Sequence, residues 1–266
     1  MAEMPPEVTD TVDDDEGDGG ARHDLQLALR CFISPAGAAG TIGLLLAITM
    51  WVTYGRRPGF EVSHEITYLL AHLIALVLLP MMIARWGFRL SLRDQGLSLG
   101  NPRRWILYVL VFGAIVAPGI WFATRRADFQ GFYPYWAAAR HSPEYFLLHQ
   151  AVMLAVIFAN EFFFRGFMLN LAAKEMPAHA AIVFQMIPYA MGHAGKVPTE
   201  FLASVFAGLA LGVTAWRGRS VWPCVLLHYP CSLIVDVAAA PEMAAEAWRL
   251  LLPVRASSSV SAKRKA

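Results

Sequence analysis

Long runs of apolar residues, separated by short polar stretches, dominate this chain. A helix that crosses a membrane needs about 20 mostly apolar residues to span about 30 Å of hydrocarbon. By that measure, candidate spans lie at 37–54, 67–84, 105–124, 145–171, 180–194, 201–216 and 221–239. A further short stretch at 244–254 carries Glu246 and Arg249, so it either makes an eighth crossing or lies at the interface. The pattern predicts an all-α fold, a polytopic transmembrane helical bundle of seven to eight spans. The fifth candidate is short for a full crossing and is expected to end inside the protein.

Composition agrees with the pattern. Of the 266 residues, 57% are hydrophobic and 16% charged, and the mean hydropathy is +0.46. A soluble domain carries about 25% charged residues, and a soluble fold of this size could not bury so much apolar surface. A net charge of +2 offers no basic surface for nucleic acid. Cys31, Cys224 and Cys231 form no CxxC pair and no even disulfide set. Residues 1–21 are rich in Asp and Glu without Lys or Arg, the reverse of a secretory signal. The expected division is a disordered acidic tail at 1–30, a membrane helical domain at 31–254, and a basic flexible tail at 255–266. Arg85, Arg89, Arg93, Arg103 and Arg104 crowd the connection after the second span, and Arg217 and Arg219 that after the sixth. The excess of arginine in these loops makes them cytoplasmic and puts the N-terminus inside, in a multi-pass protein of a bacterial inner membrane. Arg56, Arg57, Arg125 and Arg126 on the other side weaken the bias.

Two motifs concern packing. Gly208 and Gly212 form a GxxxG pair that lets a neighbouring backbone approach closely. Trp86, Trp105, Trp121, Tyr133, Tyr135 and Trp136 fall near span ends, as an interfacial aromatic belt would.

The chemistry lies in the second half of the chain. Asn160, Glu161 and Arg165 sit in the middle of the fourth span. A charge at that depth costs at least about 2.5–3.5 kcal/mol. Glu161 and Arg165, four residues apart, share a helix face and can pair. Such a pair can equally be structural, pinning the helix to its neighbours. His193 ends the fifth span; His228 and Ser232 lie one turn apart in the seventh, with Asp236 a turn further. One carboxylate and two imidazoles on three helices could enclose a wet cavity for general acid–base work, or hold zinc. His72 and His149 are read as helix-packing or interface residues. His149 lies about 18 Å along the helix from Glu161, in another layer.

These stretches resemble the CAAX-protease and bacteriocin-processing family, whose members carry EExxxR, FxxxH and HxxxN in successive spans. The matching segments are Asn160 to Arg165, Tyr189 to His193, and His228 to Ser232, within a family-like core at 145–239. The chain departs from the pattern at three places: Asn160 stands for the first glutamate, Tyr189 for Phe, and Ser232 for Asn. The resemblance implies an intramembrane endopeptidase, with a glutamate mechanism favoured over a metal one and no cofactor (zinc being the alternative). In that reading Glu161 and His193 activate water, Arg165 keeps Glu161 ionised, and His228 and Ser232 stabilise the oxyanion. Asn160 can hold a water but cannot take its proton. The implied partners are the lipid bilayer and a membrane-attached peptide: a prenylated C-terminus, a leader peptide or a C-terminal sorting signal. The rival reading is a catalytically inactive relative that binds membrane peptides in an immunity or scaffold role. A transporter using Glu161, Arg165 and the histidines as a proton relay is a third.

Overall fold

The computed structural model describes residues 26, 34–54 and 60–252. Apart from Gln26, the expected tails at 1–30 and 255–266 lie outside these residues, as do Arg56 and Arg57. Among the described residues the chain is all-helical: α1 (Pro35–Tyr54), α2 (Val62–Gly87), α3 (Pro102–Ala123), the short α4 (Ala127–Phe132), α5 (Pro143–Ala172), α6 (Ala178–Met191), α7 (Pro198–Gly218), α8 (Trp222–Ala239) and α9 (Pro241–Leu251). Proline opens several of them, because its fixed φ suits the first turn and its missing N–H would be unpaired there anyway. Asn101 and Ser142 cap α3 and α5 by accepting from the backbone N–H of Arg104 and Tyr145.

Five helices, α2, α3, α5, α7 and α8, are long and apolar enough to cross a membrane. Shorter apolar helical stretches cover Pro35–Leu46 of α1 and all of α6. At 14 residues, α6 rises about 21 Å and stops short of a full crossing, as the brevity of the fifth apolar run implied. The stretch expected at 244–254 forms α9, whose 11 residues rise only about 16 Å.

One helix organises the bundle. In α5, 78% of the most apolar window is buried, against 6% in α3, whose Leu107, Leu110 and Ile115 face outward as lipid-facing residues do. The first part of α5 packs on α2, α8 and α9, and its later part on α1, α6 and α7. From Phe162 to Met168 the helix winds as a π segment, so that Phe162, Phe163, Phe164 and Phe167 are all buried around Arg165. Such local rewinding often marks functional positions.

Gly208 and Gly212 act as the GxxxG pattern predicts. A Cβ on Gly208 would come within 2.8 Å of Met186 and 3.0 Å of the Tyr189 ring, and one on Gly212 within 2.7 Å of Gln185. The two glycines let α7 lie directly against α6, and Gln185 fastens the contact by donating to the Gly208 carbonyl. At the end of the bundle where α5 finishes, residues 88–101 fold back onto the α7–α8 corner. Val221 donates to the Gly96 carbonyl and Asn101 to that of Gly218. The Gln95 carbonyl passes so near Gly166 that a Cβ there would sit at 2.5 Å. In the same loop the Ser91 hydroxyl and backbone N–H hold the Asp94 carboxyl below the usual range, with Lys174 and Arg219 acting on it from neighbouring turns.

The aromatic belt holds only in part. Trp86 and Trp121 are exposed, but Tyr133, Tyr135 and Trp136 are buried. The segment between α3 and α5 folds inward over the helix ends instead of resting in the headgroups. Trp136 joins Phe146, Ala240 and Ala247, while Tyr133 packs with Ala123, Val197 and Val235.

Candidate active site

Glu161 ends the regular turn of α5 with its side chain fully enclosed. Its carboxylate takes two donors. Arg165, one turn on, places Nη1 at 3.3 Å from Oε1 and 3.2 Å from Oε2. His228, reaching across from α8, places Nδ1 at 2.7 Å from Oε1. An ionised carboxylate only accepts, so Nδ1 carries the hydrogen and Nε2 is the His228 nitrogen that Glu161 does not engage. The His228 side chain keeps 22% of its surface, which makes it the open edge of an otherwise buried trio.

Tyr189 joins this trio to His193. The Arg165 guanidinium lies 4.0 Å over the Tyr189 ring, a cation–π contact out of reach of water. The same ring meets His193 at 4.7 Å and His228 edge-on at 6.3 Å. His193 Nδ1 lies 2.9 Å from the Tyr189 carbonyl and must donate to it, again leaving Nε2 as the acceptor. Each imidazole thus has one nitrogen fixed by the protein and one left for chemistry. Just past His193, Lys196 pairs with Glu200 at 3.0 Å, and the Tyr133 hydroxyl donates to the other Glu200 oxygen.

The structure gathers Glu161, Arg165, Tyr189, His193 and His228 into one connected group. Asn160 is turned about 100° around the helix from Glu161. Its amide donates to the Val156 carbonyl of the same helix at 2.8 Å. Ser232 is half-buried one turn beyond His228. The direct contact of Glu161 is therefore with His228, while His193 is reached through the tyrosine. Cys224 and Cys231 turn their thiols to backbone carbonyls of α7 and α8, as packing residues do. Among the described residues no three His, Cys, Asp or Glu side chains converge as a metal ion would require. Glu161 and His228 face each other at hydrogen-bond distance rather than around a shared centre.

Two residues that sequence reasoning passed over, Glu65 and Gln150, belong to a second polar cluster. Glu65, of α2, accepts from His149 at 2.6 Å, and Asp236 accepts from Gln150 at 2.9 Å. Placing the second span at 67–84 left Glu65 outside it, although α2 begins at Val62.

The family model of the Rce1-like type II CAAX prenyl endopeptidases matches residues 142–234. This stretch is an Rce1-like domain. It takes in all of α5, α6 and α7 and most of α8, and so contains every member of the connected group. The helices α1, α2 and α3, which enclose the Rce1-like domain from outside, lie beyond the match. No curated protein and no solved structure matches the chain.

Proposed function

We propose that the protein is an intramembrane endopeptidase that hydrolyses a membrane-attached peptide, with Glu161, His193 and His228 as its acid–base groups. The observation that carries this reading is the 2.7 Å contact between Glu161 and His228, 67 residues apart and inside an apolar bundle. Arg165 pairs with Glu161, and Glu161 accepts from Nδ1 of His228, so an imidazolium at this position donates from Nε2. His193, with Nε2 free to accept, takes the proton of the attacking water. The scissile carbonyl oxygen then becomes an oxyanion that accepts from the charged His228 and from the Ser232 hydroxyl. Collapse of the tetrahedral intermediate expels the amine, which takes the proton held by His193. The water's oxygen and its second proton stay on the new carboxyl group, so atoms and charge balance without a cofactor. Here Glu161 orients an imidazole instead of meeting the water itself, which is how one carboxylate suffices where the family pattern has two.

The family match favours a prenylated C-terminus as substrate over a leader peptide or sorting signal. The end formed by the 88–101 loop, with Arg89, Arg93, Lys174, Arg217 and Arg219, is the cytoplasmic one on the positive-inside rule, in a bacterial inner membrane. Mass spectrometry of membrane-protein termini, compared between wild type and a deletion strain, tests the reading. Uncleaved termini that appear only on deletion support it and name the substrate; identical termini sink it. Cleavage that a chelator abolishes and zinc restores would assign the site to metal chemistry instead. One observation favours the rival reading of a non-catalytic peptide binder: the Asn160 amide is spent on its own helix and cannot accept a proton.

A further inference from the structure

A second set of polar side chains is buried between the same two helices. Glu65, His149 and Asp236 are each about 1% exposed, and Gln150 is 7% exposed. His149 Nδ1 donates to Glu65 at 2.6 Å, and its Nε2 lies 3.6 Å from Asp236, which accepts from Gln150 at 2.9 Å. Three helices, α2, α5 and α8, meet there. In hydrocarbon such a cluster is expensive, and apolar residues of similar size commonly serve stability as well or better. Four of its polar atoms, Glu65 Oε2, His149 Nε2, Gln150 Oε1 and Asp236 Oδ1, have no hydrogen-bond partner among the described residues, so the cluster is poorly optimised as a stabiliser.

What it does supply is register. α5 and α8 run antiparallel, because His228 meets Glu161 while Asp236 meets His149 and Gln150. The two polar rungs are about 18 Å apart along α5. A single rung lets α8 pivot or slide about the contact. Two rungs fix both its rotation and its height, and Glu65 ties the upper one to α2. A slip of 1 Å between reacting groups can cost about a hundredfold in rate.

We propose that Glu65, His149 and Asp236, with Gln150, are positioning residues that hold α8 in register on α5 and thereby keep His228 on Glu161. The inference rests on the peptidase reading for its kinetic consequence but not for its geometric one. The test replaces the cluster with apolar residues (Glu65→Leu, His149→Leu, Gln150→Met and Asp236→Val together) in the full-length protein in detergent. Three quantities are read: melting temperature, kcat and KM on a prenylated fluorogenic peptide, and bismaleimide cross-linking between Phe158→Cys and Trp222→Cys. Those two rings lie 5.3 Å apart across the α5–α8 seam. The expected result is a melting temperature at or above wild type, kcat lower by at least about tenfold with KM within about twofold, and cross-linking cut by at least about half. A folded variant with wild-type kcat and cross-linking overturns the proposal. If the fourfold variant fails to fold, Asp236→Val alone replaces it, since it removes the α8 side of the second rung and leaves the Glu65–His149 contact in place. Wild-type kcat and cross-linking in that variant also overturn the proposal. Should the wild type cleave nothing, the peptidase reading falls alone, and unchanged cross-linking still decides against the register role.

Discussion

Replacing Arg165 by alanine removes the cation that neutralises Glu161 inside the bundle. Neither side chain of the pair has solvent-accessible surface. Breaking a buried ion pair from one side costs about 3–5 kcal/mol, chiefly because the surviving charge is left without compensation. The Tyr189 ring also loses the guanidinium stacked 4.0 Å away, a desolvated cation–π contact worth about 2 kcal/mol. Taking the lower end of the first range with the second term, the expected loss is about 5 kcal/mol. At about 2–4 °C per kcal/mol for a chain of this length, that is a fall in melting temperature on the order of 10 °C. Arg165→Met together with Glu161→Gln removes both charges and should recover at least about half of the loss. Detergent melting followed by size-exclusion chromatography ranks the three proteins. An Arg165→Ala variant that melts within about 2 °C of wild type, or a double variant worse than the single one, would refute the argument from an uncompensated buried charge.

Three further outcomes are expected. His228→Ala removes the imidazole held by Glu161 and should lower kcat by about 10²–10⁴-fold, measured on the same fluorogenic peptide; a loss below about tenfold would take His228 out of the chemistry. Asn160→Glu should leave cleavage unchanged or reduce it, because a second carboxylate beside Glu161 in a dry site makes both harder to ionise; cleavage gained by an otherwise inactive wild type would favour the non-catalytic reading. Gly208→Val places methyls where Met186 and Tyr189 already lie, and should cost about 1–3 kcal/mol and lower kcat through the displaced tyrosine; unchanged melting and kcat would show that α6 and α7 separate freely.

Much of the site was legible because its residues violate the rule of their surroundings. Glu161, Arg165 and His228 are polar inside apolar runs, and their spacing alone made Glu161 and Arg165 neighbours. The approach of His228 to Glu161 was not legible, since nothing local relates positions 67 residues apart. Nor does a 3.6-residue period foresee the π winding from Phe162 to Met168, which brings a run of phenylalanines to the interior. Glu65 was lost to a boundary placed five residues late, and with it the partner that explains His149. Tyr133, Tyr135 and Trp136 were misplaced for a related reason. An aromatic residue near a span end suits both an interface and a folded cap, and only the tertiary course of the 124–142 segment decides between them.

The brevity of α6 also bears on the lipid around the protein. Val183, Ile187 and Met191 face outward, yet this helix rises only about 21 Å where the hydrocarbon is about 30 Å thick. Beside α6 the acyl chains must compress, or headgroups and water must dip to meet the turn that carries His193. The mismatch makes a local dimple on the side of the bundle nearest the imidazoles, and it grows as the bilayer thickens. Reconstitution in short-chain phosphatidylcholine should therefore favour turnover over long-chain phosphatidylcholine. Acyl-chain length would then tune the hydrolysis without touching a single side chain.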